Sequence, residues 1–553
     1  MKNPVIEREL IGVLRSGKAI AMQLLPAAAC ALLVLLRWPT GGQVDLGGSQ
    51  ARQVFQLFGY GLLTAILLLV PAFPATSIVR ERLRGTLALL LQTPLRPWSI
   101  YLGKLAGVLG VAVLPLAASA PAAAACYAMG GLSMRDQVLP LYAVLGLATL
   151  QYAALGLLVS SRAASVDSAL RATYGLVLVL AVLTLAPYQV LQGTSAGPVL
   201  MLTTWLRALS PLPAVMEILG HGDTGGQGLI ATAGNPLRYA ITALASIALF
   251  VAATLPRLRP VRLERARPQG KVTNERGRRA RWLRRLFFVV DPQRRARPIG
   301  RFTNPVLVKE FRTRRFGRSH WLLRLVAACA VGSLALTLLS SAAALDWGTT
   351  TISALMVLLQ GALIVLLIPS LAAGLISAEI ESGGWAIMQM TPLSPGRILR
   401  GKLFSVTGTL ALVLLATLPG YAVMVYARPS LAQQVVYVVA CLTLTGLFAL
   451  MLSAAVGSLF RRTAPATVTS YALLLGLCAG PLLFWLGRDT TFGHGFVERV
   501  LRISPLAAAL AVMEVPGFTS YHLLPTCWWL VGGATLACLV ALRVRVWQLT
   551  RPR

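Results

Sequence analysis

The chain alternates long apolar stretches with short polar segments. Apolar runs of roughly 20 residues, the length that a helix needs to cross a bilayer, recur throughout and predict about twelve membrane-spanning helices. Those of the first half lie near 19–36, 55–78, 101–128, 138–160, 170–191 and 238–256. Those of the second half lie near 322–345, 352–376, 403–426, 431–459, 467–487 and 523–546. Because the stretches are continuous and do not alternate with polar residues, they favour an all-α polytopic membrane protein over a strand barrel.

The composition also indicates a protein that lies in a lipid bilayer. Of the 553 residues, 56% are hydrophobic and only 12% are charged, with a mean hydropathy of +0.71. A soluble domain carries about 25% charged residues, so a soluble protein is excluded.

The net charge of +33 is typical of a nucleic-acid binder, but its distribution favours another interpretation. About 42 of the 51 basic residues fall in segments that a twelve-span arrangement places on one side of the bilayer. This positive-inside bias predicts that both termini and the basic linker are cytoplasmic. Since each half has six predicted spans, the halves enter the membrane in the same sense, as parallel repeats. No nucleic-acid partner is expected.

A polar, turn-rich stretch between the second and third predicted spans occurs twice. In the first half it contains Glu81, Gly85, Thr93-Pro94-Leu95 and Gly103-Lys104-Leu105. In the second half it returns 298 positions later (81 to 379) as Glu379, Gly383, Thr391-Pro392-Leu393 and Gly401-Lys402-Leu403. The repeat predicts two copies of one membrane module: residues 1–256 form the first, 257–303 a basic cytoplasmic linker, and 304–553 the second.

Each half also opens on a shared helix-start signal. Asn3-Pro4 and Asn304-Pro305 lie 301 positions apart (3 to 304), and acidic residues follow both. Asn as an N-cap with Pro in the first turn begins a helix. The pattern predicts an amphipathic helix lying in the cytoplasmic interface, with Ile6 and Leu10 on its apolar face. The alternative is ordinary positively charged flanking sequence.

Local sequence predicts how the repeated stretch folds. Leu83, Leu87 and Leu90 recur at helical spacing, and Thr93-Pro94 with Pro97 then ends the helix. The result is a short helix, a rigid turn and a restart into the third span. A tight loop needs such punctuation in any case, but that need does not explain why acid, glycine and Gly-Lys-Leu recur at matching offsets.

The stretch from Glu81-Arg-Leu-Arg-Gly85-Thr86 through Thr93-Pro94-Leu95 to Gly103-Lys104 resembles a segment of the membrane-spanning permeases of ABC transporters, of the type 2 exporter class. The resemblance implies a six-span unit with an interfacial helix first, and a coupling helix that docks on an ATPase subunit. The docking residues it implies are Glu81, Gly85, Thr86, Thr93, Pro94, Glu379, Gly383, Thr391 and Pro392. The second copy departs from the pattern at Gly384, where the first has Thr86.

A third repeated feature lies between the fifth and sixth predicted spans. Ser210-Pro211-Leu212 with Glu217 matches Ser504-Pro505-Leu506 with Glu514. Short Pro-bearing helices there suit an extracellular re-entrant segment, where irregular backbone survives only if protein or water satisfies it. The resemblance implies helices of this kind near the extracellular gate. Glu217 and Glu514 contact substrate in one interpretation and are solvated surface acids in the other.

Catalytic and metal chemistry is not indicated. Gly396 to Lys402 has the spacing of a phosphate-binding loop, but Leu403 replaces the hydroxyl that would bind Mg²⁺, and no strand precedes it. The four histidines are scattered, and the seven cysteines form no Cys-x-x-Cys pair, so no metal site and no catalytic set is predicted. The chain is not expected to be an enzyme or to hold a cofactor of its own. ATP and Mg²⁺ would be bound by a partner subunit.

Together these patterns predict a fused pair of ABC exporter permease halves in the bilayer, with two copies of a separate ABC ATPase docked at 80–98 and 378–396. The excess of arginine over lysine is a weak indication of a GC-rich bacterium, and the expected location is its plasma (inner) membrane. Two alternatives stay open: an ion-coupled secondary transporter, and a non-transporting scaffold that anchors an ABC-type ATPase.

Overall fold

The computed structural model describes most of the chain. The described residues are 4–14, 49–163, 166–181, 183–185, 187–188, 198–220, 234–258, 304–313, 330, 349–478, 480–486, 493–515 and 517–550. This part of the chain is helical and contains no strand. Its contacts divide it into two compact units. The first unit holds the described residues up to 258, and the second holds those from 304 onward apart from 483–486 and 493–494.

Among the described residues up to 258, the first unit contains ten α-helices. They are α1 Pro4–Leu14, α2 Ser49–Leu69, α3 Ala72–Arg84, α4 Thr86–Gln92, α5 Pro97–Ala128, α6 Leu139–Arg162, α7 Val166–Ala181, α8 Pro198–Arg207, α9 Pro211–Ile218 and α10 Asn235–Thr254. A π-helical turn, Met134–Val138, precedes α6, and 3₁₀ turns occur at Leu183–Leu185 and Leu255–Leu258. Helix α6 is central to this unit, because every residue from Gln151 to Ser161 is buried.

The helices from Pro305 onward follow a similar order, and all but residues 483–486 of α18 and His494 of α19 belong to the second unit. They are α11 Pro305–Thr313, α12 Thr349–Ala372, α13 Gly374–Glu381, α14 Gly384–Gln389, α15 Pro395–Ala427, α16 Ala432–Leu459, α17 Thr463–Cys478, α18 Gly480–Leu486, α19 His494–Leu501, α20 Pro505–Val512 and α21 Thr526–Thr550. A 3₁₀ turn, Pro429–Leu431, joins α15 to α16.

Nine helical stretches within the described residues are long and apolar enough to cross a membrane. They are Ala51–Arg84, Pro97–Ala128, Met134–Arg162, Asn235–Leu258, Met356–Glu381, Pro395–Tyr426, Pro429–Leu459, Pro465–Leu482 and Thr526–Thr550. The prediction of an all-α polytopic membrane protein is confirmed at this level.

The layout of twelve spans in two parallel repeats stays a prediction. The predicted spans 19–36 and 322–345 lie outside the described residues, as does nearly all of the linker 257–303. The predicted span 170–191 corresponds to a shorter apolar helix, Ser168–Ala181.

Equivalent tertiary contacts recur in the two units. The hydroxyl of Tyr174 on α7 donates to the carbonyl of Leu68 on α2 at 2.6 Å. In the second unit the hydroxyl of Tyr471 on α17 donates to the carbonyl of Leu366 on α12. These partners match at offsets of 297 and 298 (174 to 471, 68 to 366), so the same helix pair is joined at the same depth in each unit.

On α6 and on α16, a glycine allows a neighbouring segment to approach closely. A Cβ at Gly156 on α6 would lie 2.5 Å from the ring of Pro74, at the start of α3. A Cβ at Gly457 on α16 would lie 2.1 Å from the carbonyl oxygen of Ala373, just before α13. Both distances are below any real contact, so α3 and α13 approach their central helix only because glycine is there. This packing holds α3 against α6 and α13 against α16, where α3 and α13 lead into the repeated polar stretch.

Candidate functional site

The repeated polar stretch forms a helix, a sharp corner, a short helix and a turn in both units. We call residues 80–98 the first connecting segment and residues 378–396 the second connecting segment. Gly85 lies at the first corner with φ 78°, and Gly383 lies at the second with φ 75°. An L-residue with a side chain is strained in this left-handed region, which explains the repeated glycine.

The Thr-Pro turn has a local explanation in both segments. The hydroxyl of Thr93 donates to the carbonyl of Leu90 at 2.5 Å, and the hydroxyl of Thr391 donates to the carbonyl of Met388 at 2.6 Å. The amide of each threonine donates to the same carbonyl, at 3.3 Å for Thr93 and 3.2 Å for Thr391, so backbone and side chain together close the end of the short helix. Pro94 and Pro392 then prevent the helix from continuing and are exposed at the tip.

Glu81 is the acid of the first segment, and its carboxylate is paired within the unit. Its Oε1 accepts from Nζ of Lys104 at 2.6 Å and from a guanidinium nitrogen of Arg8 at 2.7 Å. Lys104 is the lysine of the Gly-Lys-Leu motif on α5, and Arg8 lies on α1. The acid therefore joins three helices, α1, α3 and α5.

Glu379 makes the same connections in the second unit. Its Oε1 accepts from Nζ of Lys402 on α15 at 3.2 Å and from Nζ of Lys309 on α11 at 2.8 Å. Lys402 also donates to Oε1 of Glu310 on α11 at 2.6 Å. Arg8 and Lys309 lie 301 positions apart (8 to 309), the same offset that separates the two Asn-Pro signals.

The lysine of each Gly-Lys-Leu motif is shielded from solvent, whereas Arg8 and Lys309 are 54% and 41% exposed. The exposed fraction of the side chain is 3% for Lys104, 2% for Lys402 and 3% for Glu310. A buried ion pair gains little net stability over apolar packing, but removing one partner leaves an uncompensated charge. The pairs consequently hold the N-terminal helix, the end of the second span and the start of the third span in one arrangement.

The glycine of each Gly-Lys-Leu motif seats the N-terminal helix of its unit. A Cβ at Gly103 would lie 2.5 Å from Cγ1 of Val5, and a Cβ at Gly401 would lie 2.9 Å from Cβ of Val306. Val5 and Val306 are both 4% exposed, so they occupy the equivalent contact. The apolar contact of each N-terminal helix thus centres on a valine that the predicted apolar face had not included.

The Asn-Pro signals begin the N-terminal helices. Pro4 begins α1 and Pro305 begins α11, whereas Asn3 lies outside the described residues. The side chain of Asn304 accepts from the amide of Val306 at 3.0 Å, as an N-cap does, and donates to the carbonyl of Arg397 at 2.8 Å. Asn304 therefore also ties α11 to the first turn of α15.

The short helices α4 and α14 have a buried and an exposed face. Leu87 and Leu91 are buried under α4, and Trp385 and Met388 are buried under α14. On the opposite face, Leu89 is 66% exposed and Ile387 is 68% exposed. These two residues occupy equivalent positions (89 to 387), so each short helix presents one large apolar side chain outward.

Each short helix is anchored to the last helix of its own unit. In the first unit Leu87 and Leu91 pack in one apolar cluster with Ile100, Tyr101 and Leu258. In the second unit the indole of Trp385 donates to the carbonyl of Leu549 at 3.1 Å, and the amide of Gln389 donates to the same oxygen. A force on either segment would thus reach the final span directly.

The departure at Gly384 also has a structural reason. In the first unit the hydroxyl of Thr86 donates to the carbonyl of Glu81 at 3.3 Å. In the second unit a Cβ at position 384 would lie 2.4 Å from Oε2 of Glu379, so that carboxylate occupies the space of a side chain. The carboxylate of Glu381 accepts instead from the amide and the hydroxyl of Thr463, each at 2.9 Å.

The Ser-Pro-Leu sequences begin the short helices α9 and α20. Ser210 accepts from the amide of Leu212 at 3.2 Å and donates to the carbonyl of Ala181, the last residue of α7, at 2.7 Å. Ser504 accepts from the amide of Ala507 at 3.3 Å and donates to the carbonyl of Cys478, the last residue of α17, at 2.8 Å. Both serines are buried caps, and Pro211 and Pro505 are the first residues of their helices.

The acids of this repeated feature, Glu217 near the end of α9 and Glu514 after α20, have partners within the protein. The two carboxylate oxygens of Glu217 accept from the amides of Gly234 and Asn235, each at 2.9 Å, at the start of α10. Glu514 accepts from Gln434 at 3.1 Å, and its backbone is left-handed with φ 52°. For both carboxylates, contact with substrate and a solvated surface position stay predictions, and Glu514 is exposed. Glu217 stabilises the positive end of a helix.

An arginine that the sequence patterns did not single out lies beside Glu217. Arg207 is 1% exposed, donates to Oδ1 of Asn235 at 2.7 Å and stacks over the ring of Tyr188 at 4.1 Å. Burial is the main cause that lowers the pKa of its guanidinium from the ordinary value. Asn235 thus joins Arg207 and Glu217 at the start of the last span.

The phosphate-loop spacing does not form a loop. Gly396 and Lys402 lie within the first turns of α15, and the Lys402 ammonium is held by two carboxylates. Backbone amides in a continuous helix are not free to cradle a phosphate. No group of three His, Cys, Asp or Glu side chains suited to a metal occurs among the described residues.

The sequence comparison agrees with this architecture. The fold and the two connecting segments define a multi-pass helical membrane protein. Residues 9–266 match the family described as ABC-2 family transporter protein, which supports an ABC-2 type permease, the membrane component of an ABC transporter. Permeases of this family typically work with an ABC ATPase. No curated protein matches the chain.

Proposed function

We propose that the chain is the membrane-spanning permease of an ABC exporter, built from two fused six-span modules and driven by separate ATPase subunits. The family match covers the first module. The second module is assigned to the same class because it repeats the motifs and the internal contacts of the first. The observation that carries the docking assignment is the pair Leu89 and Ile387. Each is an exposed apolar side chain on a short, internally anchored helix.

The anchoring supports a mechanical role for both segments. An ATPase that gripped α4 or α14 would act on the N-terminal helix through Glu81 or Glu379, and on the final span through Leu258 or Leu549. Nucleotide-driven closure of the ATPase would then move these helices together as a rigid body. ATP and Mg²⁺ would be bound by the ATPase subunit.

The proposed setting is the plasma (inner) membrane of a bacterium, with both termini and both connecting segments in the cytoplasm. The positive-inside bias supports this orientation. Helix α5 has 32 residues and is therefore about 48 Å long, against a hydrocarbon core of about 30 Å. Its length supports a segment that stands clear of the hydrocarbon, within reach of a soluble ATPase.

Ion-coupled transport is the second candidate, and the acid positions weigh against it. In the nine described spans, acidic residues occur only near the ends: Glu81, Asp136, Glu379 and Glu381. Proton and sodium pathways usually need carboxylates deeper in the membrane.

The test is the pair of variants Leu89→Asp and Ile387→Asp in the full chain. The ABC ATPase that co-purifies with the wild type should be lost from the double variant, and substrate-independent ATP turnover of the assembled complex should fall with it. Leu89→Met and Ile387→Met keep an apolar side chain and are the matched controls. Retention of the ATPase by the double Asp variant, with unchanged turnover, would refute docking at these helices.

A further inference from the structure

The two connecting segments share their backbone plan but differ in the charge around the exposed apolar side chain. Residues 84–98 and 382–396 are identical at Gly85, Ala88, Thr93, Pro94, Leu95 and Pro97 and their counterparts. Two of the differences replace arginine by serine. Arg84 corresponds to Ser382, and Arg96 corresponds to Ser394, both at the offset of 298.

The arginines of the first segment flank its apolar tip. Arg84 precedes α4 and Arg96 follows the Thr-Pro turn, and both are exposed, as are Leu89 and Trp98. Neither arginine lies on the buried side of the short helix, which Leu87 and Leu91 occupy. The first segment therefore presents the exposed side chain of Leu89 with an exposed guanidinium before it in the chain, Arg84, and another after it, Arg96.

The second segment presents an apolar surface without that pair of cations. Ile387 is joined by Met390, which is 86% exposed and replaces Gln92 of the first segment. Residues 382–396 include no lysine, arginine, aspartate or glutamate. The next arginines along the chain, Arg397 and Arg400, are exposed on the first turns of α15, and Arg400 donates to the carbonyl of Gly396.

We infer that the two segments recognise their ATPase by different chemistry. The first fits an apolar pocket of the ATPase that is surrounded by aspartate or glutamate side chains. The second fits an apolar pocket and does not depend on ion pairs with acidic residues around it. This inference rests on the proposed docking of an ATPase at both segments. Guanidinium groups pair bidentately with carboxylates, and they keep their charge at every physiological pH, so the first contact has an ionic component.

Anionic lipid headgroups would also attract arginine. The structure favours a protein partner because the two cations flank an exposed leucine and lie on a segment that α5 can carry up to about 18 Å beyond a 30 Å hydrocarbon core.

The experiment uses the full-length chain in nanodiscs of neutral phosphatidylcholine, together with the ABC ATPase identified by co-purification. A photo-crosslinking amino acid replaces Leu89 in one preparation and Ile387 in another. The exchange variants are Arg84→Ser with Arg96→Ser, and reciprocally Ser382→Arg with Ser394→Arg. Thermal melting of each variant verifies that it is folded.

We expect the crosslink from position 89 to weaken about fivefold between low and physiological salt, because exposed charge pairs are screened. Mass spectrometry should place that crosslink beside aspartate or glutamate residues of the ATPase. The crosslink from position 387 should change less than twofold. The Arg84→Ser and Arg96→Ser exchange should remove the salt dependence at 89, and the reciprocal exchange should create it at 387.

The outcomes separate the two proposals. Crosslinks from neither position would refute docking at these segments, and with it the proposed function. Crosslinks from both positions with equal salt dependence, unaltered by the exchanges, would overturn the inference and leave docking intact. An exchange that changed only binding to phosphatidylglycerol vesicles would assign the arginines to the membrane and would also overturn it.

Discussion

The ammonium of Lys104 lies 2.6 Å from a carboxylate oxygen of Glu81, and Lys402 repeats this contact with Glu379 at 3.2 Å. In both units the lysine lies near the start of a long helix, α5 or α15, and the acid near the end of the helix before the connecting segment, α3 or α13. The N-terminal helix adds a further base to each acid, Arg8 or Lys309. The recurrence of this acid and this lysine in both halves is therefore explained first by the ion pair that they form.

The Lys104→Met variant should lose stability. The change leaves the carboxylate of Glu81, which is 15% exposed, without its shielded partner, and we expect a loss of about 2 kcal/mol. Lys402→Met should cost more, about 3 kcal/mol, because both Glu310 and Glu379 lose their ammonium. Thermal melting of the purified protein measures both effects.

Two further variants test the origin of that loss. Lys309 is 41% exposed, so Lys309→Met should cost no more than about 1 kcal/mol. Combining Lys104→Met with Glu81→Gln should recover part of the stability, because no uncompensated charge remains. If the double variant were as unstable as the sum of its single changes, the ion pair would not be the cause.

The Gly103→Ala variant should displace the N-terminal helix. Its new Cβ would lie 2.5 Å from Val5, which forces α1 away from α5 and should speed hydrogen exchange along α1. Gly408→Ala, on α15, meets nothing within 4 Å and is the matched control. Adding Val5→Ala should not restore slow exchange, because the Cβ of residue 5 would still lie 2.6 Å from the new Cβ. Equal exchange in both glycine variants would contradict the close contact.

Gly85→Ala and Gly383→Ala should each destabilise the corner of a connecting segment by about 1 kcal/mol. The cost comes from the backbone alone, because a Cβ at either position meets no neighbour within 4 Å. Gly396→Ala, in the first turn of α15, has the same open surroundings without a positive φ and should be neutral. Thermal melting again distinguishes them, and an equal loss in all three would point away from backbone strain.

Sidedness is testable by cysteine labelling. Thr93→Cys and Thr391→Cys place thiols at the tips of the connecting segments, and we expect an impermeant maleimide to reach them only in inside-out vesicles. Tyr127→Cys and Tyr426→Cys, at the opposite ends of α5 and α15, should react only in right-side-out vesicles. The wild type measures the background labelling, to which partly exposed Cys538 contributes, whereas Cys126, Cys441, Cys478 and Cys527 are buried. Labelling of either tip from outside the cell would overturn the assignment of a cytoplasmic ATPase.

Features that depend on neighbours in the chain could be predicted. The apolar runs predicted the nine described spans because a bilayer selects for continuous hydrophobic length. Thr93-Pro94 and Gly85 predicted the break and the corner because proline and glycine act on their own backbone. The family resemblance drawn from residues 81–104 agrees with the match over residues 9–266.

The roles of the repeated acids could not be predicted. Glu81 was assigned to docking, and that role stays a prediction, but its carboxylate is held by Lys104 and Arg8. One signal was available, since Arg8 and Lys309 share the 301-residue offset of the Asn-Pro motifs. Glu217 offered no such signal, because its partners are backbone amides, which every residue carries.

The sequence by itself determined the solvent, the helical class and the internal repeat, because hydrophobic length, chain breakers and residue order are properties of the chain. Only the tertiary structure decided that Glu81 faces inward and Leu89 outward, and that Gly384 makes room for a carboxylate. Those outcomes depend on how α1, α3 and α5, or α11, α13 and α15, pack side by side. Helix packing is set by the fit of distant side chains, which periodicity along one helix does not contain.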